Sequence, residues 1–184
     1  MIYLIGGAPR TGKSLLSHRL AVEQRMGWIG TDVLFELLRV ANDPGVPRQW
    51  DASPDAIRAT AAWFWPYLER ALWALTSQAD HYLIEGVGFL PEQVAAYAQT
   101  HAIRSVFLGC STMTLERLDA FPGRSPGYGR LPEPLRRQIA ADVPVWSAYL
   151  ESECARWAVP YVDLGDEFDE GLHQAQRALG LMAP

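Results

Sequence analysis

The chain opens with five apolar residues, Met1 to Ile5, followed at once by Gly6-Gly7. An unbroken apolar run of that length, stopped by glycine, predicts a strand buried on both faces. The period then changes. Leu15, Leu16, Leu20 and Val22 recur at helical spacing and predict a helix over Ser14 to Met26, with Gly27 as its stop. Trp28 to Thr31 reads as a second strand and Val33 to Ala41 as a helix. Asn42 to Ser53 reads as a loop, because two prolines and a glycine interrupt it. In Ser53-Pro54-Asp55 a hydroxyl at the N-cap precedes a proline at the first helical position and an acid in the first turn. The helix that starts there should run to about Ala79, kinked or broken at Pro66.

The second half repeats the alternation. Tyr82 to Val87 is the third strand and Ile103 to Gly109 the fourth, with a helix opened by Pro91 between them. Ser111 or Thr112 caps a short helix through Ala120. Phe121 to Pro134 holds three glycines and four prolines and reads as an irregular loop. A long helix over Leu135 to Ala158, a fifth strand over Pro160 to Leu164 and a last helix ending near Gly180 complete the pattern. Short apolar strands alternating with helices predict parallel βαβ units and a three-layer α/β/α sandwich. With no repeat or linker to divide it, the whole chain, 1–184, reads as one domain.

Composition narrows the function. The 184 residues are 49% hydrophobic with a net charge of −5, which argues against broad nucleic-acid or anionic-membrane binding. Cys110 and Cys154 have no CxxC spacing and fit neutral thiols in a reducing compartment. His18, His81, His101 and His173 are scattered, which argues against a zinc site. The apolar start is too short for a signal peptide or a membrane span, so the expectation is a cytoplasmic protein. Fifteen of the sixteen basic side chains are Arg; the one Lys is Lys13.

That lysine lies in the sharpest motif of the chain. Gly7-Ala8-Pro9-Arg10-Thr11-Gly12-Lys13-Ser14 matches G-x-x-x-x-G-K-[ST], between the predicted buried strand and the helix that the motif requires. Glycines let the backbone wrap a phosphate, and successive N–H groups with the helix N-terminus supply positive potential. The ammonium of Lys13 suits the β- and γ-phosphates as a compact charge, where the planar fork of Arg would be too bulky. The hydroxyl of Ser14 suits Mg²⁺. ATP and Mg²⁺ are therefore the expected cofactors.

Two acids follow strand ends. Asp32, in Ile29-Gly30-Thr31-Asp32, should face the γ-phosphate from the neighbouring strand, where it could orient or deprotonate an acceptor hydroxyl; its other reading is an N-cap of the next helix. Glu85, in Tyr82-Leu83-Ile84-Glu85-Gly86, could hold a Mg²⁺-bound water or the acceptor; its other reading is a strand-end carboxylate bonded to backbone. No NKxD-type guanine-reading motif and no LSGGQ-type segment is present.

Together GGAPRTGKS, IGTDVLFELLR and LIEGV resemble the small-molecule kinases of the P-loop fold, among them nucleoside monophosphate, shikimate and gluconate kinases, chloramphenicol phosphotransferase and zeta-toxin-like kinases. The resemblance is nearest to 2-phosphoglycerate-kinase-like proteins. It implies five parallel strands ordered 2-3-1-4-5, an acceptor-binding insert at about 33–80 and a mobile lid at about 111–137. Thr31, Asp32 and Arg39 would then border the acceptor, and Arg117 matches an arginine at the end of the helix after the fourth strand. Two positions differ from the family pattern: Phe35 and Gly88 stand where polar side chains are expected.

The lid stretch also carries charge of its own. Between Ser111 and Gln138, Arg117, Arg124, Arg130, Arg136 and Arg137 face only Glu116, Asp119 and Glu133. Arg124 or Arg130 could neutralise the transferred phosphoryl group, or these arginines could simply be solvated. In the insert, Trp50, Trp63, Trp65, Tyr67 and Trp73 could form a flat wall for the acceptor, or pack a helix. The expectation is an ATP-dependent kinase acting on a hydroxyl or phosphate of a small molecule, as a monomer or homodimer. A nucleotide kinase, and a regulatory or toxin-type module with slow hydrolysis, are the alternatives.

Overall fold

A computed structural model describes residues 1–41, 51–121, 123 and 128–181. Five parallel strands form one sheet in the order β2-β3-β1-β4-β5: β1 Ile2–Gly7, β2 Gly27–Gly30, β3 Tyr82–Glu85, β4 Ile103–Gly109 and β5 Tyr161–Asp163. β1 is central and buried along its whole length, as its apolar run requires. Its side chains alternate between two cores. Ile2 and Leu4 join Phe64, Leu68, Phe107, Val143 and Leu150 on one face; Tyr3 and Ile5 join Leu16, Leu20, Leu83, Leu108 and Leu172 on the other. Helices α3 (Pro54–Thr76), α4 (Pro91–Ala98) and α6 (Glu133–Trp157) cover the first face, and α1 (Lys13–Glu23) and α7 (Phe168–Ala178) the second.

Several boundaries differ from expectation for identifiable reasons. Thr31 opens α2 (Thr31–Val40) instead of closing β2, and Gly30 is the N-cap, so Asp32 is not a cap but an acid in the first helical turn. β3 ends at Glu85, short of Val87. Helix α3 is not broken at Pro66. Ile57, Ala61, Phe64, Leu68 and Leu72 anchor it in the core on both sides of the proline. Pro66 and Ala62, the residue whose carbonyl loses its helical partner, are both exposed, so that carbonyl is not sealed in the core. Helix α5 (Leu115–Ala120) is capped not by Ser111 or Thr112 but by Thr114, whose hydroxyl accepts from the Arg117 N–H at 3.2 Å. The stretch expected to be irregular through Pro134 contains a 3-10 turn, Tyr128–Arg130, and α6 begins at Glu133. The loop reading of 42–53 falls mostly on residues outside those described. Cys110 and Cys154 are both free and buried, and burial pushes the Cys154 thiol up to about 12.

Candidate active site

The site is built at the carboxyl ends of β1, β2 and β3. Gly7 ends β1 at φ 137°, and a Cβ there would collide with the backbone of Leu108 in β4. Only glycine lets the chain leave the sheet at that point. The Ala8 N–H then donates to the Leu108 carbonyl at 2.9 Å. The Ala8 carbonyl in turn accepts from the Thr11 hydroxyl at 2.7 Å and the Lys13 ammonium at 2.5 Å, so side chains of the loop itself close it. Pro9 and Arg10 form its outer edge, both half-buried. Gly12, at φ 84°, is the N-cap of α1 and supplies no side-chain cap to the first N–H groups of the helix. By contrast, Ser53 caps α3 and Thr114 caps α5. An uncapped helix start inside a glycine-bounded loop is an arrangement that takes a phosphate.

Lys13 is 6% exposed. Burial pulls its ammonium down to about 8; the charges of Glu85 and then Asp32 act in the opposite sense, and Arg10 adds to the lowering. Glu85 at the end of β3 is also buried, and burial raises its carboxyl above the usual carboxylate range, against the pull of Lys13 and of the Ser14 hydrogen bond. The Ser14 hydroxyl donates to Glu85 Oε1 at 2.9 Å. Two hard oxygen donors, from the loop and from the next strand, thus meet at one point. Among the described residues no group of three or more His, Cys, Asp or Glu side chains could enclose a metal. A hydroxyl and a carboxylate that leave the remaining positions to water and phosphate oxygens fit Mg²⁺, which dehydrates reluctantly. Asp32, exposed in the first turn of α2, acts electrostatically on Lys13, Arg10 and Glu85, so the same cluster includes it. The structure therefore brings Lys13, Ser14, Asp32 and Glu85 together across three elements.

Other sequence-expected residues are placed differently. Thr31 is fully buried against Gly86, and its hydroxyl has no hydrogen-bond partner among the described residues. Arg39 lies about two helical turns along α2 from Asp32. There it pairs with Glu36 at 2.6 Å, half exposed. Arg117 donates to the Leu164 carbonyl at 2.7 Å and to the Gly165 carbonyl, which ties α5 to the loop before α7. Asp163 shapes the same loop by accepting from the N–H groups of Ser111 and Gly165. Arg130 is exposed at the end of the 3-10 turn; Arg124 and Trp50 fall outside the described residues.

Among the described residues the aromatic side chains of the insert do not assemble into one wall. Trp63 packs with Phe35, Phe64 and Tyr67, Trp65 meets Tyr97 edge-on, and Trp73 stacks under Arg70. What remains beside α2 is the cluster of Phe35, Trp63, Phe64 and Tyr67. It also brings Phe35 and Gly88 together. A Cβ at Gly88 would lie 2.7 Å from Phe64 and 2.8 Å from Phe35. The ring at position 35 fills the space that a side chain at 88 would need, so the two positions share one volume.

Sequence reasoning missed Tyr128. It is buried although it lies in a glycine- and proline-rich stretch; its hydroxyl donates to Asp119 at 3.0 Å, and its ring carries the Arg10 guanidinium at 4.7 Å from the ring centre. Asp119 also pairs with Arg136 at the start of α6. The only sequence signal is an aromatic residue among small ones.

The strand order 2-3-1-4-5, with a phosphate loop after β1 and an acid after β3, is the P-loop kinase fold of three-layer α/β/α proteins. A gluconokinase from Sinorhizobium meliloti 1021 has a similar structure, with a TM-score of 0.56 at 15% identity over 97% of this chain and 90% of that one. A shikimate kinase from Aquifex aeolicus aligns with a TM-score of 0.51 at 14% identity, covering 98% and 96% of the two chains. Another, from Bacteroides thetaiotaomicron, has a TM-score of 0.51 at 15% identity over 98% and 99%. No protein-family model matches the chain and no curated protein matches it, so the likeness is one of fold. Among the described residues no helix is long and apolar enough to cross a membrane.

Proposed function

We propose that the protein is a kinase that transfers the γ-phosphoryl group of ATP to a hydroxyl or phosphate of a small molecule. The observation that carries this reading is the junction of the phosphate loop with two strand-end acids: Lys13 within the loop, Ser14 bonded to Glu85, and Asp32 facing the same charges. The loop of residues 7–14 would cradle the β- and γ-phosphates with its N–H groups, and Lys13 would hold their charge. Ser14 and Glu85 would hold Mg²⁺, directly or through water; when bound, it neutralises charge on the phosphate oxygens.

Transfer forms one bond from the acceptor oxygen to the γ-phosphorus and breaks the bond from that phosphorus to the β–γ bridging oxygen, releasing ADP. Where the acceptor is a hydroxyl, the exposed Asp32 would take its proton. The acceptor would lie in the stretch 33–80 beside Phe35, Trp63 and Tyr67, with Thr31 and Arg39 on the same helix as Asp32. The arginine-bearing stretch 111–137 would form the lid, with Arg124 and Arg130 as its charges and Arg117, bonded to the Leu164 and Gly165 carbonyls, anchoring its base. In this reading the protein works in the cytoplasm as a monomer or homodimer, on a small molecule rather than on nucleic acid or a membrane. The test is ADP release from Mg·ATP with and without panels of sugars, hydroxy acids, nucleosides and nucleotides. A kinase releases little ADP until an acceptor is added, whereas steady hydrolysis that no acceptor accelerates would contradict the reading.

A further inference from the structure

Arg10 is an unusual occupant of a phosphate loop. Its backbone holds φ 63°, in the left-handed region that L side chains rarely adopt, at a cost of about 1 kcal/mol or more. A glycine would hold the same conformation without that cost. What the side chain does is visible in its surroundings. The guanidinium lies over the ring of Tyr128, and it feels the charge of Asp32 across the mouth of the loop. Tyr128 is a fixed platform: it is buried, it is bonded to Asp119 on α5, and Asp119 is paired with Arg136 on α6. A guanidinium stacked on a ring is held by its face, while its N–H donors lie in its own plane, at the edge.

The described arginines of the 111–137 stretch are mostly committed elsewhere. Arg117 bonds the carbonyls of Leu164 and Gly165, Arg136 pairs with Asp119, and Arg137 pairs with Glu133. We propose that Arg10 contacts the γ-phosphate of the bound nucleotide through its side chain, and that Tyr128 is a positioning residue that holds the guanidinium over the loop for that contact. The inference rests on the nucleotide reading above and goes beyond it. It moves a charge normally sought in a lid into the phosphate loop, and it gives the loop a way to tell a triphosphate from a diphosphate. Burial pulls the Arg10 guanidinium down from its ordinary range, while the charges of Tyr128 and Asp32 hold it up.

The test needs no acceptor. Affinities for Mg·ATP and Mg·ADP are measured by calorimetry on the full chain for the wild type, Arg10→Ala, Tyr128→Leu and Tyr128→Phe, each shown to be folded by circular dichroism. Arg10→Ala should weaken ATP by about tenfold or more, the worth of one charge-assisted hydrogen bond, and change ADP by less than about threefold. Tyr128→Leu removes the platform and should lose part of the ATP preference, whereas Tyr128→Phe keeps the ring and should restore it. An unchanged ATP-to-ADP ratio in Arg10→Ala overturns the γ-phosphate contact. Equal losses in Tyr128→Leu and Tyr128→Phe overturn the positioning role. A wild type that binds neither nucleotide fails the nucleotide reading itself, and is distinguishable from both.

Discussion

The phosphate loop and helix α2 leave the same carboxyl edge of the sheet, from β1 and from β2 with β3 between them, yet they are held by different means. In the loop the polar side chains find partners within the site: Thr11 and Lys13 share the Ala8 carbonyl, Ser14 bonds Glu85, and Arg10 lies over Tyr128. On α2, Thr31 is buried and Phe35 packs on Phe64, but the outward side chains are occupied locally or face water: Arg39 pairs with Glu36 one turn away, while Val33, Leu37 and Val40 are exposed. Backbone curvature and buried charge fix the first region, so its ligand chemistry is determined before any ligand arrives. In the proposed reading the second region would contribute one carboxylate, Asp32, on a scaffold that leaves acceptor selection to side-chain shape.

That contrast can be broken in graded steps. The largest effect belongs to Lys13→Ala, which should reduce triphosphate affinity or transfer by about a hundredfold or more; Lys13→Arg should not rescue it, because a planar fork does not fit the loop. Unaltered nucleotide titrations of Lys13→Ala would show that the loop is not the binding element. Asp32→Asn, on the other side of the comparison, should leave ATP affinity within about threefold and lower transfer to a hydroxyl acceptor by about 10²- to 10⁴-fold. Full activity there would remove Asp32 from the proton path.

A pH titration separates the two regions again. The Lys13 ammonium titrates at about 8 in the free protein, so ATP affinity should be flat below that pH and weaken as pH rises through it. Binding at pH 8 to 9 should take up protons, because bound phosphates favour the charged amine. Calorimetry in buffers of different ionisation enthalpy reads that uptake directly, and none would be seen if Lys13 stayed fully charged.

Smaller effects test the acceptor side. Gly88→Ala should destabilise by about 1–3 kcal/mol through its contacts with Phe35 and Phe64. Phe35→Leu in the same chain should recover part of that loss, measured as a double-mutant cycle in denaturant unfolding. Strict additivity would mean that the two positions are not coupled. Arg39→Ala should change stability by at most about 0.5 kcal/mol and raise the acceptor KM by less than about threefold; a larger rise would move the acceptor outward along α2.

Much of this architecture was legible in the sequence because it rests on local patterns. The apolar run before Gly6-Gly7, the eight-residue loop and the alternation of short strands with helices identify parallel βαβ units with a phosphate site, and Ser53-Pro54 marks the start of α3. The misreadings occurred where tertiary contacts decide. Helix α2 begins at Thr31 because burial of Thr31 against Gly86 pulls it out of the strand. Pro66 does not break α3 because core residues anchor both halves. Tyr128 gave little signal because its burial depends on contacts outside its own stretch: Asp119 on α5, which pairs with Arg136 on α6, and Arg10 in the phosphate loop. The pairing of Phe35 with Gly88 looked like two separate departures until their shared volume was visible.

The central claim is that the loop from Gly7 to Ser14 binds a nucleoside triphosphate through Lys13. Calorimetric titration of Mg·ATP into the wild type and into folded Lys13→Ala tests it most directly. Saturable one-to-one binding by the wild type, weakened about a hundredfold or more in the variant, is the predicted result. Equal affinity in both proteins, or no binding by the wild type, would contradict it.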